Sequence, residues 1–334
     1  MPDSVKISVL VSTYASEAFM AECLDDLVGQ SAADRLEIVV VDANSPQNEG
    51  EIVARYKERF PRITYIRTPE RIGIYAAWNV AIRAARGEYL ISFSTNDRLA
   101  PDACEVLSRH LDEHPEVDLV YGDTHLTDLP HQTLDSFSPS QGPDGPAMRW
   151  GPFFYPELVG RCLVGPHPIW RKRIHDLDGF FDESFAALGD QEFWLRIGRK
   201  RMLRHIERFT GLYWVDMENA LSRTERANQE QNELRLRFLP GMLQGDMPPE
   251  QREIAAMVQA NLESGRVDEG AAIYTALLVP WIRLQQFKRF AGRLVSLMER
   301  GKIDACLRVW RMERDQYSDM PELQALDDLL VRIR

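Results

Sequence analysis

The stretch that decides the fold lies near the end of the first hundred residues. It reads Gly87-Glu88-Tyr89-Leu90-Ile91-Ser92-Phe93-Ser94-Thr95-Asn96-Asp97, an apolar strand pattern that leads directly into a polar cluster ending in a carboxylate. Such a cluster suits a hard divalent cation, which takes oxygen ligands from few side chains and the rest from phosphate and water. Polar residues also end strands because they form turns, so this stretch alone leaves a simple turn as the alternative.

Strand and helix patterns alternate on both sides of that stretch. Apolar, β-branched runs predict strands over residues 6–12, 36–42, 63–67, 88–93 and 117–121. Helical spacing predicts helices over residues 17–30, 49–60, 73–86 and 101–114, with Ser16 as the N-cap of the first. This order predicts an α/β fold, a Rossmann-like, mostly parallel sheet flanked by helices.

Polar residues follow several of the predicted strands. Thr13, Tyr14, Asp42, Asn96 and Asp97 all lie just past a strand end. Ligands of open parallel sheets bind at the carboxyl ends of the strands. We therefore expect these residues to form one site.

Composition excludes several classes of protein. The 334 residues are 44% hydrophobic and 27% charged, as in an ordinary soluble globular protein. A net charge of −11 argues against a nucleic-acid partner but leaves room for a nucleotide. We expect no signal peptide and no membrane span, since neither an apolar leader nor an 18-residue apolar run occurs. Four separated cysteines without a CxxC pattern predict a reduced, cytoplasmic protein.

Two short segments are candidates for sites of other kinds, and neither is well supported. The first predicted strand is followed by Thr13-Tyr14-Ala15-Ser16-Glu17, which lacks the glycines of a dinucleotide loop and the lysine of a P-loop. Residues 110–114 (HLDEH) match a zinc pattern, but at the last turn of a surface helix histidines also cap carbonyls.

Residues 127–151, rich in Pro, Ser and Gly, predict a long loop that is either a lid or a surface excursion.

A series of motifs carries a family resemblance. They are residues 7–14 (ISVLVSTY), 37–42 (EIVVVD), 71–73 (RIG) with Asn79, 85–90 (ARGEYL), 95–97 (TND), 170–172 (WRK), 179–185 (GFFDESF) and 189–196 (GDQEFWLR). In order and spacing the chain resembles the family 2 glycosyltransferases, nucleotide-sugar enzymes of the GT-A fold. The resemblance covers roughly two thirds of the chain, and residues 95–97 fall at the family's DxD position.

The resemblance implies roles on the donor side. Thr13 and Tyr14 would frame the base and ribose of a nucleotide sugar, and Asp42 would accept a hydrogen bond from the base or ribose. Arg71 and Asn79 would also belong to this donor site. The alternative for Asp42 is to cap the loop after its strand. Asn96 and Asp97 would hold a divalent metal, Mn²⁺ or Mg²⁺.

The resemblance also implies an acceptor side. Asp190 matches the family's general base, a role compatible with that of an N-cap of the following helix. Residues 162–173 would pass between the carboxylates of Asp97 and Asp190. His167 and Trp170 in that segment, together with Glu192, would lie on the acceptor side. A lone histidine between two prolines is also often structural.

Five positions depart from the family pattern. Ser94 and Asn96 stand where the motif usually has carboxylates, which lowers the negative charge available to a metal. Ala43-Asn44 replaces the usual Asp-Gly, and Arg71 stands where Asn is frequent. These departures leave open a weakened metal dependence or an inactive relative.

The C-terminal third has helical spacing without strands. Residues 262–269 (LESGRVDE) recur as residues 298–305 (MERGKIDA), with Gly265 matching Gly301. The two glycines are 36 residues apart, and paired helices at this period resemble tetratricopeptide-like repeats. A helical bundle that covers the catalytic domain is the alternative.

Together these features predict two regions and one activity. A GT-A domain spans residues 1–224, with a donor half (1–125) and an acceptor half (151–224), and a helical region spans residues 225–334. The resemblance implies an inverting hexosyltransferase of polysaccharide biosynthesis that moves a sugar, expected from a UDP donor, to a hydroxyl of a glycan, lipid-linked saccharide or protein. Peripheral membrane contact, and a homodimer or protein partner held by the helices, stay open.

Two other functions remain as alternatives. One is a catalytically silent glycosyltransferase-like scaffold that binds a partner through its helices. The other is a nucleotidyltransferase, which would need a Gly-rich basic loop where residues 13–16 stand.

Overall fold

The chain folds into two compact units. The computed structural model describes residues 5–137, 147–148, 150–215, 224–244, 247–318 and 320–331. The first unit comprises Met1–Trp150 and Val164–Glu230, and the second comprises Gly151–Leu163 and Gln231–Arg334. Residues 151–163 therefore group with the C-terminal helices, whereas the sequence places them in the acceptor half of the catalytic domain.

Over the residues that the structure describes, the first unit is built on one sheet of nine strands. Its strands are β1 (Ile7–Thr13), β2 (Leu36–Asp42), β3 (Ile63–Arg67), β4 (Tyr89–Phe93), β5 (Arg98–Leu99), β6 (Leu119–Thr127), β7 (Ala147–Met148), β8 (Ile169–Arg171) and β9 (Leu203–Trp214). Helices flank it: α1 (Glu17–Val28), α2 (Glu49–Arg59), α3 (Ile74–Ala84), α4 (Ala103–Glu113), α5 (Ile174–Asp178) and α6 (Gly189–Ile197). A seventh helix, α7 (Glu225–Met242), begins in this unit and continues into the second.

The parallel half of the sheet is confirmed. Strands β3, β2, β1 and β4 lie side by side and are parallel, with all seven residues of β2 buried. Strands buried on both faces read as continuous apolar runs, which is why the sequence predicts them well. Their carboxyl ends, at Thr13, Asp42 and Phe93, meet at one edge.

The other half of the sheet is mixed. Strand β8 inserts antiparallel between β4 and β6, and β9 pairs parallel to β6 and antiparallel to β5. The predicted strand over 117–121 therefore does not extend the parallel run. Pairing of β8 with β4 joins residues about eighty positions apart, such as Tyr89 and Arg171, and local patterns carry no record of such partners.

Two local predictions need correction. Ser16 precedes α1, but its side chain makes no capping hydrogen bond and instead donates to the Tyr14 carbonyl at 3.1 Å. The Ser16 amide is held by the Glu49 carboxylate at 2.8 Å, which is a long-range partner. In the predicted loop 127–151, β7 forms a short antiparallel pair with β6. Residues 138–146 and 149 of that loop lie outside the described residues.

The second unit is helical. After α7 it contains α8 (Pro249–Glu263), α9 (Val267–Ile273), a π-helical turn (Tyr274–Leu278), α10 (Val279–Glu299), α11 (Ile303–Glu313) and α12 (Pro321–Val331). Within the described part of the chain, no helix is both long enough and apolar enough to cross a membrane.

The recurring glycines make the same turn. Gly265 and Gly301 have φ of +78° and +67°, and each is followed by an amide that bonds five residues back, Arg266 to Asn261 and Lys302 to Leu297. This is the Schellman ending of a helix, which favours glycine. Between the two glycines, however, α9, the π-turn and α10 form one continuous helix. A helix-pair repeat needs two helices in that interval, so the tetratricopeptide-like interpretation is wrong and the helical region is confirmed.

Candidate active site

A cavity of ≈ 590 Å³ opens at the carboxyl edge of the parallel strands. Three segments supply most of its lining: residues 12–14 at the end of β1, 71–74 at the start of α3, and 94–96 after β4. Ala186, which lies shortly before α6, also lines it. The predicted donor residues Thr13, Tyr14, Arg71 and Asn96 are therefore brought together.

Tyr14 and Arg71 form a cation–π pair in this cavity. The Arg71 guanidinium carbon lies 4.1 Å from the centroid of the Tyr14 ring. Arg71 is exposed, whereas Tyr14 is half-buried. A guanidinium stacked on an aromatic ring keeps its donors free in its own plane, where they can bind phosphate oxygens. The pair can thus present one flat face and one cation to a nucleotide.

The start of helix α3 adds positive potential. Gly73 precedes the helix in an extended conformation, no side chain caps the first amides, and both Gly73 and Ile74 line the cavity. The uncapped amides and the helix dipole favour an anion such as a diphosphate. An added Cβ at Gly73 would meet nothing within 4 Å, so the approach is open.

Asp42 is fully occupied by protein partners. Its Oδ1 accepts the Ser45 amide at 2.6 Å, and its Oδ2 accepts the Tyr65 hydroxyl at 2.5 Å and Arg67 at 2.7 Å. The side chain is buried and does not line the cavity. The structure thus shows Asp42 in the loop-capping role. A base contact by Asp42 stays a prediction, and it requires a rearrangement of Arg67.

Asn79 supports a loop instead of lining the cavity. Its amide oxygen accepts the Phe181 N–H at 3.0 Å, and its amide nitrogen donates to the Phe181 carbonyl and to Glu183, each at 2.9 Å. The buried amide thus joins α3 to the segment before α6, and a contact with the donor stays a prediction.

Asp97 lies directly behind the cavity segment 94–96. It is buried, and its Oδ1 accepts the Trp214 amide at 3.1 Å. Its Oδ2 has no hydrogen-bond partner and lies 3.7 Å from Nε2 of His167, which is also unpartnered. No group of three or more His, Cys, Asp or Glu side chains that could hold a metal occurs among the residues placed by the structure.

Asp190 lies in the first turn of α6, which begins at Gly189, so it is not the N-cap. Its Oδ1 accepts the Gln191 amide at 2.8 Å and contacts the Tyr75 hydroxyl at 3.2 Å. Burial, with a smaller effect of the Glu230 charge, raises the pKa of the Asp190 carboxyl. A carboxylate with a raised pKa accepts a proton more readily, as a general base requires.

Glu230 is a functional candidate that the sequence analysis missed. This buried carboxylate accepts the backbone amides of Ala186, Ala187 and Leu188 at 2.7, 2.9 and 2.9 Å, and it pairs with Arg226 at 2.9 Å. It therefore fixes the segment that joins the cavity to Asp190. The sequence shows only a helical Arg-Glu pair, since the other partners lie over forty residues away.

The three residues predicted on the acceptor side are all buried. Trp170 donates to His175 at 2.9 Å within an aromatic cluster, and Glu192 pairs with Arg196 at 2.9 Å. His167 faces Asp97. In the structure these side chains support the core, and their contact with an acceptor stays a prediction.

The histidine pattern on α4 has other partners. His114 lies 3.2 Å from Glu116, and the His110 and His114 rings lie 4.4 Å apart. Burial, with His114 nearby, lowers the pKa of His110 to about 4, so the ring is neutral at pH 7.

Comparisons with known proteins agree with this geometry. Residues 8–143 match the family model described as Glycosyl transferase family 2. An uncharacterized glycosyltransferase of Methanocaldococcus jannaschii is 25% identical over 67% of this chain and 76% of its own length. EpsH of Bacillus subtilis, named as a glycosyltransferase, is 33% identical over 54% of this chain and 55% of its own length.

A solved structure shows the same fold. The crystal structure of S. aureus TarS residues 1–349 in complex with UDP-GlcNAc superposes with a TM-score of 0.56 at 19% identity, over 75% of this chain and 70% of that one. At this identity the likeness concerns the fold alone.

These findings define the class: the first unit has the GT-A fold of nucleotide-sugar transferases. Over residues 8–143 the chain is similar to glycosyl transferase family 2 domains, and the relatives that it matches are named as glycosyltransferases. Several other relatives are matched over only 16–32% of their own length.

Proposed function

We propose that the protein transfers a sugar from a nucleoside diphosphate donor to a hydroxyl acceptor, with inversion at the anomeric carbon. The observation that carries the proposal is the cavity at the carboxyl edge of β1 and β4. It combines the Tyr14–Arg71 pair with the uncapped start of α3. The segment that carries Asp190 reaches the same cavity through Ala186.

The donor fits the cavity in two parts. Its base and ribose lie against Tyr14, and its diphosphate lies at the start of α3, within reach of Arg71. A uridine nucleotide is the first choice, because TarS binds UDP-GlcNAc on the same fold. The cavity, ≈ 590 Å³, is of the size that holds a small organic ligand.

A divalent metal fits the residue behind the cavity. Asp97 offers a buried carboxylate oxygen without a hydrogen-bond partner, which is costly unless a cation binds it. The Asn96 amide, in the cavity lining, offers a neutral oxygen. When bound there, Mn²⁺ or Mg²⁺ would offset the negative charge that grows on the departing diphosphate.

The acceptor needs a base on the face opposite the leaving group. In this proposal Asp190 takes the proton of the attacking hydroxyl onto its carboxylate. Attack from that face inverts the anomeric carbon and needs no enzyme nucleophile. Glycans, lipid-linked saccharides and proteins are the proposed acceptors, which suits a role in polysaccharide biosynthesis.

A donor screen tests the proposal. Release of nucleoside diphosphate from a panel of UDP-, GDP- and other nucleotide sugars is measured with and without Mn²⁺. We expect one donor class to be cleaved, and Arg71→Ala to weaken its binding. Arg109→Ala, an exposed arginine on α4, is the charge-matched control and should bind as the parent does. Absence of both cleavage and nucleotide binding at millimolar concentration would contradict the proposal.

One observation favours a second candidate, the catalytically silent scaffold. Ser94 and Asn96 replace carboxylates, and the described residues contain no cluster of three metal-ligating groups. A scaffold would bind nucleotide without turnover of any donor. The same screen separates the two functions, because binding and cleavage are measured independently.

A further inference from the structure

Two buried atoms face each other behind the donor cavity without any partner. Oδ2 of Asp97 and Nε2 of His167 lie 3.7 Å apart, and neither makes a hydrogen bond. Their side chains are 2% and 0% exposed, so water does not solvate them. Buried polar groups without a partner destabilise the folded state, so two of them face to face call for an explanation.

The other nitrogen of His167 fixes the proton position. Thr210 Oγ1 lies 3.1 Å from the Asp123 carbonyl, which can only accept, so the single hydroxyl proton is donated there. Nδ1 of His167 lies 3.3 Å from the same Oγ1 and must therefore be the donor in that contact. In the neutral ring, Nε2 then carries a lone pair. That lone pair points toward the Asp97 carboxylate, and two acceptors face each other.

A cation between the two atoms would satisfy both of them. A proton would draw them to the 2.7–3.2 Å of a hydrogen bond, roughly the usual N–H···O range. Two ligands each about 2.1 Å from one metal lie about 3.0 Å apart at a 90° angle and about 3.6 Å apart at 120°. At 3.7 Å the two atoms are farther apart than a hydrogen bond, yet one metal ion can contact both. A metal-ligating histidine also characteristically donates its other N–H, as His167 does to Thr210.

We propose that His167 Nε2 and Asp97 Oδ2 together hold the divalent cation, with the remaining positions left to donor phosphate and water. This inference rests on the proposed function. It also accounts for Ser94 and Asn96, because an imidazole supplies the second ligand that the usual motif takes from a carboxylate. Imidazole suits transition metals better than Mg²⁺, so the site should prefer Mn²⁺ or Co²⁺.

The surrounding strands hold both ligands in place. The Trp214 amide on β9 fixes Oδ1 of Asp97. Gly211, also on β9, allows His167 to pack closely, since an added Cβ would lie 2.9 Å from its Cε1 and 2.0 Å from the Arg98 carbonyl. The Phe93 ring covers His167 with centroids 5.6 Å apart.

Spectroscopy on the unaltered full-length protein gives the first test. The Mn²⁺ complex, with and without UDP, is examined by electron–nuclear double resonance after labelling histidine with ¹⁵N. We expect hyperfine coupling from one imidazole nitrogen, and its loss in His167→Gln. A Mn²⁺ complex with no nitrogen coupling would overturn the proposal, and the pair would then be a simple ion pair.

Metal affinity gives the second test, measured from the free Mn²⁺ signal. His167→Gln and Asp97→Asn should each weaken Mn²⁺ binding at least tenfold. Thr210→Val, which keeps both ligands, should weaken it about 10–100-fold. His114→Gln is the matched control and should bind like the parent. Parental affinity in His167→Gln would overturn the proposal. If donor turnover persists in that case, the proposed function still stands.

Discussion

At the scale of single residues, the raised pKa of Asp190 predicts a pH dependence. A base works only when deprotonated, so turnover should fall as pH decreases through a pKa that lies above the usual value of 3.8. Because burial raises the pKa, ionisation costs stability in the folded state. That cost is absent at low pH and appears as pH rises through the folded pKa.

Asp190→Asn tests both effects. Turnover should drop about 10²–10⁴-fold while nucleotide binding stays near the parental value, because the base contacts the acceptor. We subtract the melting temperature of the parent from that of Asp190→Asn. This difference should be larger at pH 8 than at acid pH. Asp176→Asn, an exposed carboxylate on α5, is the control. Near-full activity of Asp190→Asn would show that another group is the base.

Residue types at strand ends could be read from the sequence, but their partners could not. Thr13, Tyr14 and Asn96 reach the cavity because a strand end fixes where the next residues lie. The partners of Asn79 could not be read from the sequence, because its hydrogen bonds join residues about a hundred positions apart. The contact between Asp97 and His167 could not be read from the sequence either, because the two residues lie far apart along the chain.

At the scale of elements, the second turn of α7 holds the segment that leads to Asp190, because Glu230 accepts three of its backbone amides. Glu230→Gln keeps one acceptor oxygen but removes the charge that three amides share. We expect turnover to fall on the order of 10–10²-fold, because a small displacement near a catalytic base is costly. Steady-state kinetics measures it, with exposed Glu233→Gln on the same helix as control. Equal kinetics in both variants would contradict a positioning role.

The glycine turns of the second unit allow a test with opposite signs. Gly265→Ala and Gly301→Ala should each destabilise by about 1–2 kcal/mol, because alanine is strained at positive φ. Gly292→Ala, inside α10 with open space around its Cβ, should stabilise by about 0.5–1 kcal/mol. Urea unfolding measures all three. Destabilisation by Gly292→Ala would show that α10 is not a continuous helix.

The recurring glycine turns could be predicted from the sequence, but the continuous helix between them could not. Two identical helix endings are visible as repeated letters, and the structure confirms the turns at Gly265 and Gly301. The helix between them crosses Pro280, which usually marks a break. Here the proline follows a π-turn at Tyr274–Leu278, which accommodates it, and no local pattern announces that.

At the scale of the whole molecule, residues 151–163 tie the C-terminal helices to the middle of the chain. Arg283 on α10 pairs with Glu157 at 3.0 Å and lies over the Phe154 ring at 5.2 Å. Removing residues from Pro248 onward should expose the buried Phe153, Phe154 and Leu158 and cause aggregation, which light scattering detects. A soluble fragment with parental donor hydrolysis would instead show that the helices are an independent appendage.

The parallel half of the fold could be predicted and the mixed half could not. Strands β1, β2 and β4 read as apolar runs separated by helices, which dictates their topology. Strand β8 has only three residues, and β5 has two, so neither has a usable period. Their positions depend on the rest of the sheet.

The central claim is that the protein transfers sugars with inversion from a nucleotide donor, with Asp190 as base. Proton NMR of donor hydrolysis tests it most directly, because water replaces the unknown acceptor. From an α-linked donor, with Mn²⁺ present, the first sugar released should be the β anomer, and Asp190→Asn should release almost none. Release of the α anomer, or no hydrolysis of any nucleotide sugar, would contradict the account.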